Sequence, residues 1–364
     1  MKFICDRSAL QEGLSAASSV TLTRTPKPIL QCVRLTAETE GLTLTTYDQE
    51  VGLRFHVQQV EVTVPGETLV PCDKLMAIVR ESSDETMAFE TSEDTLHVRG
   101  KDSHFQILSN DVREFPPVPD MEGEANLVVK IGPLREAVEQ TLFAAAREST
   151  RYAINGILWQ MHDKQLRLVA TDGRRLAMSN ASLEKSIGDD IQAIVPTKTL
   201  GLLGKFHSDT EETMDVRVTS NQIIMRSERV TISSVLVEGN FPKWEDVVPR
   251  DNDKELSVET SRFLSAARRA ALLANVESKG ISMSLEGDVM ELQSRSAEQG
   301  EAQVRLEVKY NGPNLRIGFN PEFLIDALKV CDDNTTLLLK DPGKPGLLRS
   351  GKNFQYVVMP VNLS

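Results

Sequence analysis

The sequence predicts an α+β fold made of three repeated modules, each with two helices packed on antiparallel sheets. The first observation behind this prediction is a short pattern that occurs three times, a strand end running into a helix with apolar periodicity. The copies begin at Val70, Val195 and Phe319, which are 125 and then 124 residues apart. Each copy has Pro or Asn at the helix entry, where these residues are favoured.

The order of the other elements is the second observation. Each copy is predicted to open with an amphipathic helix, and the repeated pattern supplies another. The predicted helices cover 8–20, 72–81, 132–147, 197–206, 261–274 and 321–330. Alternating strands are predicted at 42–44, 166–169 and 281–285, and a hairpin at 214–218 and 223–225. The short connections predict antiparallel pairing, with one face of each sheet buried under helices.

The module boundaries follow from two matching segments that contain proline, 114–119 and 240–244. The predicted modules are 1–124 (N-terminal), 125–251 (central) and 252–364 (C-terminal). An ordinary multidomain α+β enzyme with chance similarity between segments is the alternative, and six elements repeated in one order disfavour it. Sheet edges must be paired or covered, so successive modules are expected to pair. A chain of three head-to-tail modules that dimerises would close at six.

Composition excludes several classes of protein. The 364 residues are 40% hydrophobic and 26% charged, which suffices for several cores, and no apolar run is long enough to span a membrane. Four scattered cysteines are typical of reduced thiols, and charge appears before any apolar signal region, so a cytoplasmic protein is predicted. The net charge of -12 argues against a freely basic nucleic-acid binder.

Catalytic motifs are weak in this sequence. The five histidines form no metal-ligand spacing, so no metal and no cofactor are predicted. Segment 346–353 has the spacing of a phosphate-binding loop, but Asn353 stands where Ser or Thr would bind magnesium, and a hairpin turn is preferred. Asp172 lies beside Arg174 and Arg175 and could be a catalytic carboxylate. An Asp-Gly hairpin turn at Asp172 is the favoured interpretation.

Five segments together resemble one known family. They are 151–158 (RYAINGIL), 170–177 (ATDGRRLA), 241–242 (FP), 318–321 (GFNP) and 356–361 (YVVMPV). In this order, and over the whole chain, they resemble the bacterial DNA polymerase III beta subunits, the sliding clamps. The resemblance implies the DNA-clamp fold, a homodimer of three-module protomers closed around duplex DNA with helices lining the hole. It implies a processivity factor for DNA replication rather than an enzyme.

The same resemblance implies a set of partners. These are duplex DNA bound without sequence specificity, the catalytic subunit of the replicative DNA polymerase, an ATP-driven clamp loader, and other replication and repair proteins. The six predicted helices carry ten basic and seven acidic residues, a net charge of +3 that leaves -15 for the remainder. This excess is small, but it fits a lumen that tolerates DNA inside an acidic rim.

A protein that slides should hold DNA by topology and by weak phosphate contacts, since specific base contacts would pin it. By position in the family pattern, the candidates for DNA contact are Arg24, Arg80, Arg147, Tyr152 and Lys198. A surface ion pair is the alternative for each. Ala153 stands where the family often has a second aromatic residue, so this part of the DNA-contacting loop departs from the pattern.

The family also has a cleft that binds a short linear peptide of its partners. The matching residues are Ile154, Thr171, Gly173, Arg175, Leu176, Pro242, Val247, Asn320, Phe323, Val357, Met359, Pro360 and Val361. Apolar walls with a flexible methionine and one arginine suit an adaptable anchor site. Ile154, Leu176, Val247 and Val357 could equally be core residues. The chain ends in the more polar segment 361–364.

A closed ring needs a contact between two copies of the chain. The resemblance implies that this dimer interface includes Lys74, Ile78, Phe105, Ile107, Leu272, Leu273, Glu298 and Glu301. Lys74 would face Glu298 or Glu301 of the other copy. The two leucines end an alanine-rich helix and could instead be core. A scaffold that binds partners without DNA remains a rival to the clamp interpretation.

Overall fold

The structure of the protein is a computed structural model that describes residues 1–148, 152–162, 164–186, 191–206, 209–274 and 280–362. The helices of this part are α1 (Arg7–Ser18), α2 (Cys72–Glu81), α3 (Ile131–Leu142), α4 (Thr197–Gly201), α5 (Thr260–Ala271) and α6 (Pro321–Leu328).

The strands up to the middle of the chain are β1 (Lys2–Asp6), β2 (Cys32–Glu38), β3 (Gly41–Tyr47), β4 (Val51–Val57), β5 (Val60–Val64), β6 (Gly66–Pro71), β7 (Thr86–Ser92), β8 (Thr95–Arg99), β9 (His104–Leu108), β10 (Leu127–Lys130), β11 (Gly156–His162), β12 (Gln165–Thr171) and β13 (Arg175–Ser186). The strands that follow are β14 (Ile191–Pro196), β15 (Thr213–Val218), β16 (Gln222–Arg226), β17 (Val230–Val235), β18 (Lys254–Glu259), β19 (Ile281–Glu286), β20 (Val289–Ser296), β21 (Gly300–Glu307), β22 (Lys309–Asn311), β23 (Leu315–Phe319), β24 (Asn334–Leu339), β25 (Gly346–Ser350) and β26 (Phe354–Val358).

The chain forms two compact units. The first contains Met1–Gly132, Leu183–Asp189 and Lys198–Leu236, and the second contains Pro133–Ser182, Asp190–Thr197 and Val237–Ser364.

The first unit contains two sheets. One has the strand order β5-β1-β7-β8-β9. The other runs from β6 through β2, β3 and β4 to β17, and on through β16 and β15 to β10. Every one of these pairs is antiparallel, as predicted. Helices α1 and α2 pack together, and α1 covers β3 and β4. Phe3 and Phe89 stack between sheet and helices with ring centroids 4.7 Å apart.

The second unit repeats this plan. One sheet runs from β14 through β11 and β12 to β13, crosses to β26, and continues through β25 and β24 to β18. The other has the order β21-β20-β19-β23. Helices α5 and α6 pack together, and α5 covers β20 and β21. Fully buried aromatic residues, among them Trp159, Phe263 and Tyr356, fill the interior.

Edge pairing between successive repeats is confirmed within each unit. In the first unit β4 pairs with β17, so Leu53 lies opposite Ile232. In the second, β13 pairs with β26, so Leu176 lies opposite Val357. The backbone hydrogen bonds of these strand edges are thereby satisfied inside the chain.

The predicted helices exist, but several bounds were wrong. Each predicted opening helix is preceded by a strand that the sequence analysis missed, namely β1, β10 and β18. Helix α3 ends at Leu142 rather than 147, because the amide of Ala146 turns away to bond the carbonyl of Ile154 at 3.0 Å. Helix α4 ends at Gly201 and continues only as a 3-10 turn over Leu202–Gly204, where two glycines weaken the α-helix.

The predicted hairpins are confirmed. Strands β15 and β16 pair around Ser220 and Asn221. The segment with phosphate-loop spacing is the β25–β26 hairpin, which turns at Gly351 with φ of +58°. A strand, not a helix, follows this turn, so the backbone amides of a helix N-terminus that a phosphate loop requires are missing at this place. In the described part of the chain, no helix is long and apolar enough to cross a membrane.

Candidate functional site

A small apolar cavity lies in the second unit beside the turn between β12 and β13. Its volume is about 200 Å³. Residues from four segments of the chain converge on it, one before β11, one around the turn, one after β17 and one at the end of β26. The lining residues are Tyr152, Ile154, Thr171, Gly173, Arg174, Arg175, Leu176, Pro242, Lys243, Trp244, Val247, Val357 and Met359. We call this cavity the apolar groove.

The turn beneath the groove is held by Asp172. Its Oδ1 atom accepts hydrogen bonds from the amides of Arg174 at 2.9 Å and Arg175 at 3.1 Å. Gly173 takes the left-handed conformation, φ +84°, that such a turn requires. The hydroxyl of Thr171 accepts from the amide of Gly173 and donates to the carbonyl of Arg175. The carboxylate is therefore occupied in building a turn, as the favoured interpretation held.

Arg175 forms one wall of the groove. Its Nε donates to Asp172 and its Nη1 to Asp326 of α6, both at 3.0 Å. Its Nη2 donates to the carbonyl of Phe143 at 2.8 Å, and the guanidinium lies 4.6 Å from the ring centroid of Phe323. The side chain is only 12% exposed.

Burial alone would lower the pKa of Arg175. Tyr356 and the carboxylates of Asp326 and Asp172 outweigh this effect and raise the pKa. The guanidinium therefore stays charged and holds α6 against the turn, so the groove has a fixed wall.

The groove has a buried floor and an exposed rim. Ile154, Leu176 and Val357 are between 1% and 7% exposed, whereas Val247 is 48% and Met359 41% exposed. Both alternatives, core residue and groove residue, thus apply, each to a different part of the groove. On the floor, Leu176 and Val357 belong to the hydrophobic core that contains Trp244, and the rim offers apolar surface to a ligand. Exposed apolar side chains above a preformed apolar floor are typical of a binding site.

Sequence reasoning and the structure differ on some groove residues. Arg174, Lys243 and Trp244 line the groove but were not among the predicted groove residues, and Tyr152 was predicted for DNA contact. The Pro-bearing segment 240–244 was noticed as a module end, which was the available signal for Lys243 and Trp244.

Four predicted groove residues do not line the cavity in the described part of the chain: Asn320, Phe323, Pro360 and Val361. Asn320 caps α6 by accepting from the amide of Glu322 at 2.9 Å, as its place at a helix entry predicted. The ring of Phe323 packs against the guanidinium of Arg175. The amide of Val361 donates to the carbonyl of Gly318 at 2.9 Å. The roles of Asn320 and Phe323 in this geometry are to place α6 and its arginine partner.

Comparison with known proteins identifies the family. Models of the DNA polymerase III beta subunit match in order, the N-terminal domain over residues 1–119, the central domain over 129–243 and the C-terminal domain over 245–362. The chain belongs to the DNA polymerase III beta subunit family. The beta sliding clamp of Pseudomonas aeruginosa is 33% identical over 367 residues, and that of Escherichia coli 29%, with all of both chains covered in each case.

Solved structures agree with this assignment. The structure of the Pseudomonas aeruginosa sliding clamp bound to griselimycin covers all of both chains with a TM-score of 0.91 at 33% identity. The Bacillus subtilis sliding clamp covers all of both chains with a TM-score of 0.90 at 25% identity. The predicted DNA-clamp fold is confirmed, and the function is that of a DNA polymerase processivity factor. A sliding clamp is an accessory factor of the polymerase and not its catalytic subunit.

The candidate DNA contacts of the clamp differ in their surroundings. In the first unit, Arg24 and Arg80 are exposed, and Arg80 pairs with Glu81 at 3.0 Å. Lys198 is bound more tightly, since its Nζ donates to the carbonyl of Val20 at 3.1 Å and to the buried carboxylate of Asp48. In the second unit, Arg147 and Tyr152 are exposed, and Tyr152 also lines the apolar groove.

Helix charge is smaller than the sequence bounds suggested. Within the observed helix bounds there are eight basic and seven acidic residues, a net charge of +1 rather than +3. The difference arises because Arg147, Lys205 and Lys329 lie beyond the helix ends and Arg7 lies inside α1. Helix charge by itself therefore gives little support to a basic lumen.

The candidate interface residues lie on two surfaces. In the first unit, Phe105 is 39% exposed and Ile107 7% exposed on β9, an edge strand of its sheet, with Ile78 on the neighbouring α2. Lys74 on α2 is exposed and pairs with Asp73 at 3.3 Å. In the second unit Leu272, just after α5, is 75% exposed, Leu273 is partly buried, and Glu298 and Glu301 are exposed.

Proposed function

We propose that two copies of the chain close head to tail into a ring of six modules around duplex DNA. Two features of the described residues support a dimer. Strand β9 ends its sheet with unpaired backbone groups and the exposed ring of Phe105, and Leu272 is an apolar side chain left largely in solvent. An unpaired strand edge is a template for pairing with another chain, and exposed apolar side chains are a common feature of interaction surfaces. The module boundaries we propose are 1–124, 125–251 and 252–364.

Such a ring holds DNA by topology. The net charge of -12 disfavours tight binding to phosphates, and weak contacts from Arg24, Arg80, Arg147, Tyr152 and Lys198 are sufficient for a protein that must slide. Because the ring has to be opened around closed DNA, we infer a separate ATP-driven loader. The protein would act in the cytoplasm, where a bacterial replication protein meets the chromosome.

The apolar groove is proposed to bind the peptide motif of the replicative polymerase and of other replication and repair proteins. The observation that carries this proposal is the combination of a buried floor with the exposed rim residues Val247 and Met359. A methionine adapts its shape to several ligands at little cost, which suits one site shared by many partners. The griselimycin complex of the Pseudomonas aeruginosa clamp shows that a relative accepts a ligand.

Retention on DNA is the experiment that tests this function. The protein is loaded onto nicked circular DNA with the loader and ATP, separated by gel filtration, and then the circle is cut. A clamp stays with the circular DNA and leaves the linear product. Equal retention before and after cutting, or no retention on the circle, would contradict the ring.

The groove is tested separately with Met359→Glu. This change places a charge on the apolar rim without touching the buried floor, so processive synthesis by the polymerase should fall at least tenfold while retention on the circle is unchanged. Val289→Glu, at another 41% exposed apolar position on β20, is the matched control and should leave both readouts unchanged.

A further inference from the structure

The apolar groove does not end at Trp244. Trp244 also lines a second hollow, of about 290 Å³. A third hollow, of about 430 Å³, lies next to the second. The second and third share Arg167, Asn180 and Glu245 as lining residues. The first and second hollows share Trp244, so the three adjoin one another in the second unit, with Trp244 between an apolar part and a polar part.

The floor of the polar part is a row of side chains across four strands. Gln192 pairs with Gln160, Gln160 with Arg167, and Arg167 with Asn180, from β14 through β11 and β12 to β13. Four strands are about 14 Å across, the span of roughly four residues of extended peptide. We call this row the amide row.

The amide row and the groove belong to the same face of the sheet. Two residues along each strand from the amide row lie Ile194, Leu158, Val169 and Met178, which are the buried residues packed with Trp244. Side chains two residues apart in a strand point to the same side. A chain leaving the apolar groove past Trp244 therefore continues over the amide row without changing sides.

The chemistry of the row is that of a peptide-backbone binder. Side-chain amides offer both donors and acceptors, and the guanidinium of Arg167 adds further donors. Arg167 is held in place because its Nε donates to Asn180 at 3.1 Å and its guanidinium lies 5.5 Å from the ring centroid of Trp244. Glu245 and Arg250 stand beside it with opposite charges. An apolar ligand would leave these polar groups unpaired, whereas a polar extended segment would satisfy them.

We propose that the amide row binds the polar segment that flanks the groove-binding motif in a partner protein. This inference rests on the proposed function, in which the apolar groove holds the motif itself. The motif would anchor every partner alike, and the flank would then rank the partners that compete for one groove. A partner whose flank is polar and extended gains affinity at the amide row, and one whose flank is apolar or folded does not.

Two synthetic peptides from the clamp-binding segment of the organism's own polymerase catalytic subunit test this. One contains the motif alone, and the other adds roughly six native residues at each end. Affinities are measured by fluorescence anisotropy for the full-length protein and for the double variant Gln160→Ala/Asn180→Ala. The matched control is Gln293→Ala/Gln303→Ala, which removes another cross-strand amide pair, on β20 and β21.

The long peptide should bind the unchanged protein five- to tenfold more tightly than the motif alone. In the Gln160→Ala/Asn180→Ala variant this gain should fall below twofold, with the affinity for the motif peptide unchanged, and in the control the full gain should remain. A flank that gives no gain, or a gain that survives in the double variant, would overturn the inference. If neither peptide bound the unchanged protein, the proposed function of the groove would fail as well.

Discussion

Gln49 and Gly173 occupy the same position in two equivalent turns. Gln49 has φ of +83° and Gly173 φ of +84°. In both turns the preceding aspartate accepts from the amides two and three residues after it, Asp48 from Glu50 and Val51, and Asp172 from Arg174 and Arg175. The repeat that the sequence analysis found in helices and strands thus extends to single backbone angles.

The two turns predict opposite responses to substitution. A side chain in the left-handed region costs about 1–2 kcal/mol, and glycine removes that cost. Gly173→Ala should lower the free energy of unfolding by about 1 kcal/mol, through backbone strain alone, because an added Cβ would meet no atom within 4 Å. Gln49→Gly should raise it by about 0.5 kcal/mol, since the greater freedom of the unfolded chain offsets part of the gain.

Urea denaturation measures both changes, and Gly201→Ala is the control. Gly201 also has open space around its Cβ, but its φ is -60°, so alanine should be neutral or stabilising there. Loss of stability in Gly201→Ala equal to that in Gly173→Ala would refute the strain argument.

Substitution of Arg175 should lower the free energy of unfolding by more than either turn substitution. Replacing it with leucine removes the guanidinium that donates to Asp172, Asp326 and the carbonyl of Phe143 in a half-buried setting. Removing one partner of a buried network is costly because the other charges stay desolvated. Arg175→Leu should therefore lower the free energy of unfolding by about 2–3 kcal/mol and weaken peptide binding in the groove, since α6 is no longer tied to the turn.

The control for this variant is Arg305→Leu. Arg305 is 68% exposed, so solvent screens its ion pair with Glu291, and its loss should cost less than about 1 kcal/mol. Urea denaturation gives the stability of both variants, and anisotropy gives the peptide affinity. If Arg175→Leu lowers the free energy of unfolding no more than Arg305→Leu does, the internal network of Arg175 stabilises the fold no more than an exposed ion pair.

Some of this site could be predicted from the sequence, and some could not. The turn at Asp172 was predictable because Asp-Gly between two apolar runs is a strong local signal for a hairpin turn. Val247 and Trp244 lie three residues apart in the segment after Phe241, yet Val247 is 48% and Trp244 6% exposed. No periodicity distinguishes them, because the segment there forms only a short 3-10 helix, and burial is decided by the sheet that it packs against.

The fold shows the same division between local and tertiary signals. Strand β1 was missed because its five residues alternate only twice, with Phe3 and Cys5 buried and Ile4 46% exposed. It exists because β5 and β7 pair with it on both sides. Helix α3 was overextended because the run of alanines at 144–146 favours a helix locally, while the loop partner of Ala146 ends it.

The buried thiols predict a fall in stability at alkaline pH. Burial raises the pKa of Cys5 and Cys72 to about 12, from 9.0 in the unfolded chain. Both thiols are protonated in both states well below pH 9. Between pH 9 and 12 the unfolded chain releases these protons and the folded chain keeps them, so the free energy of unfolding decreases as pH rises. The loss should be on the order of 1–2 kcal/mol per thiol at pH 10.5.

Urea denaturation at pH 8 and pH 10.5 checks this. The double variant Cys5→Ala/Cys72→Ala should lose less stability between the two pH values than the unchanged protein. Val98→Ala is the control for a buried truncation without a titrating group, and it should lower stability equally at both pH values. An identical decline in the double variant and the unchanged protein would assign the alkaline effect to other groups.

The two edges of one sheet allow a matched test of the proposed dimer. Phe105 on β9 and Val64 on β5 are apolar, 39% and 46% exposed, and lie on opposite edge strands of the five-stranded sheet of the first unit. If β9 is the contact edge, Phe105→Asp buries an unpaired carboxylate between two copies and should give monomers in analytical ultracentrifugation. Val64→Asp carries the same change on the other edge and should remain dimeric. Leu272→Asp should also give monomers, because this side chain lies on the other surface of the proposed contact. It is 75% exposed within one chain, so the fold should stay intact.

Two outcomes would contradict this proposal. If Phe105→Asp and Leu272→Asp both remain dimeric, the contact lies elsewhere on the molecule. If Val64→Asp is monomeric as well, the substitutions disrupt the whole five-stranded sheet and not the contact edge alone.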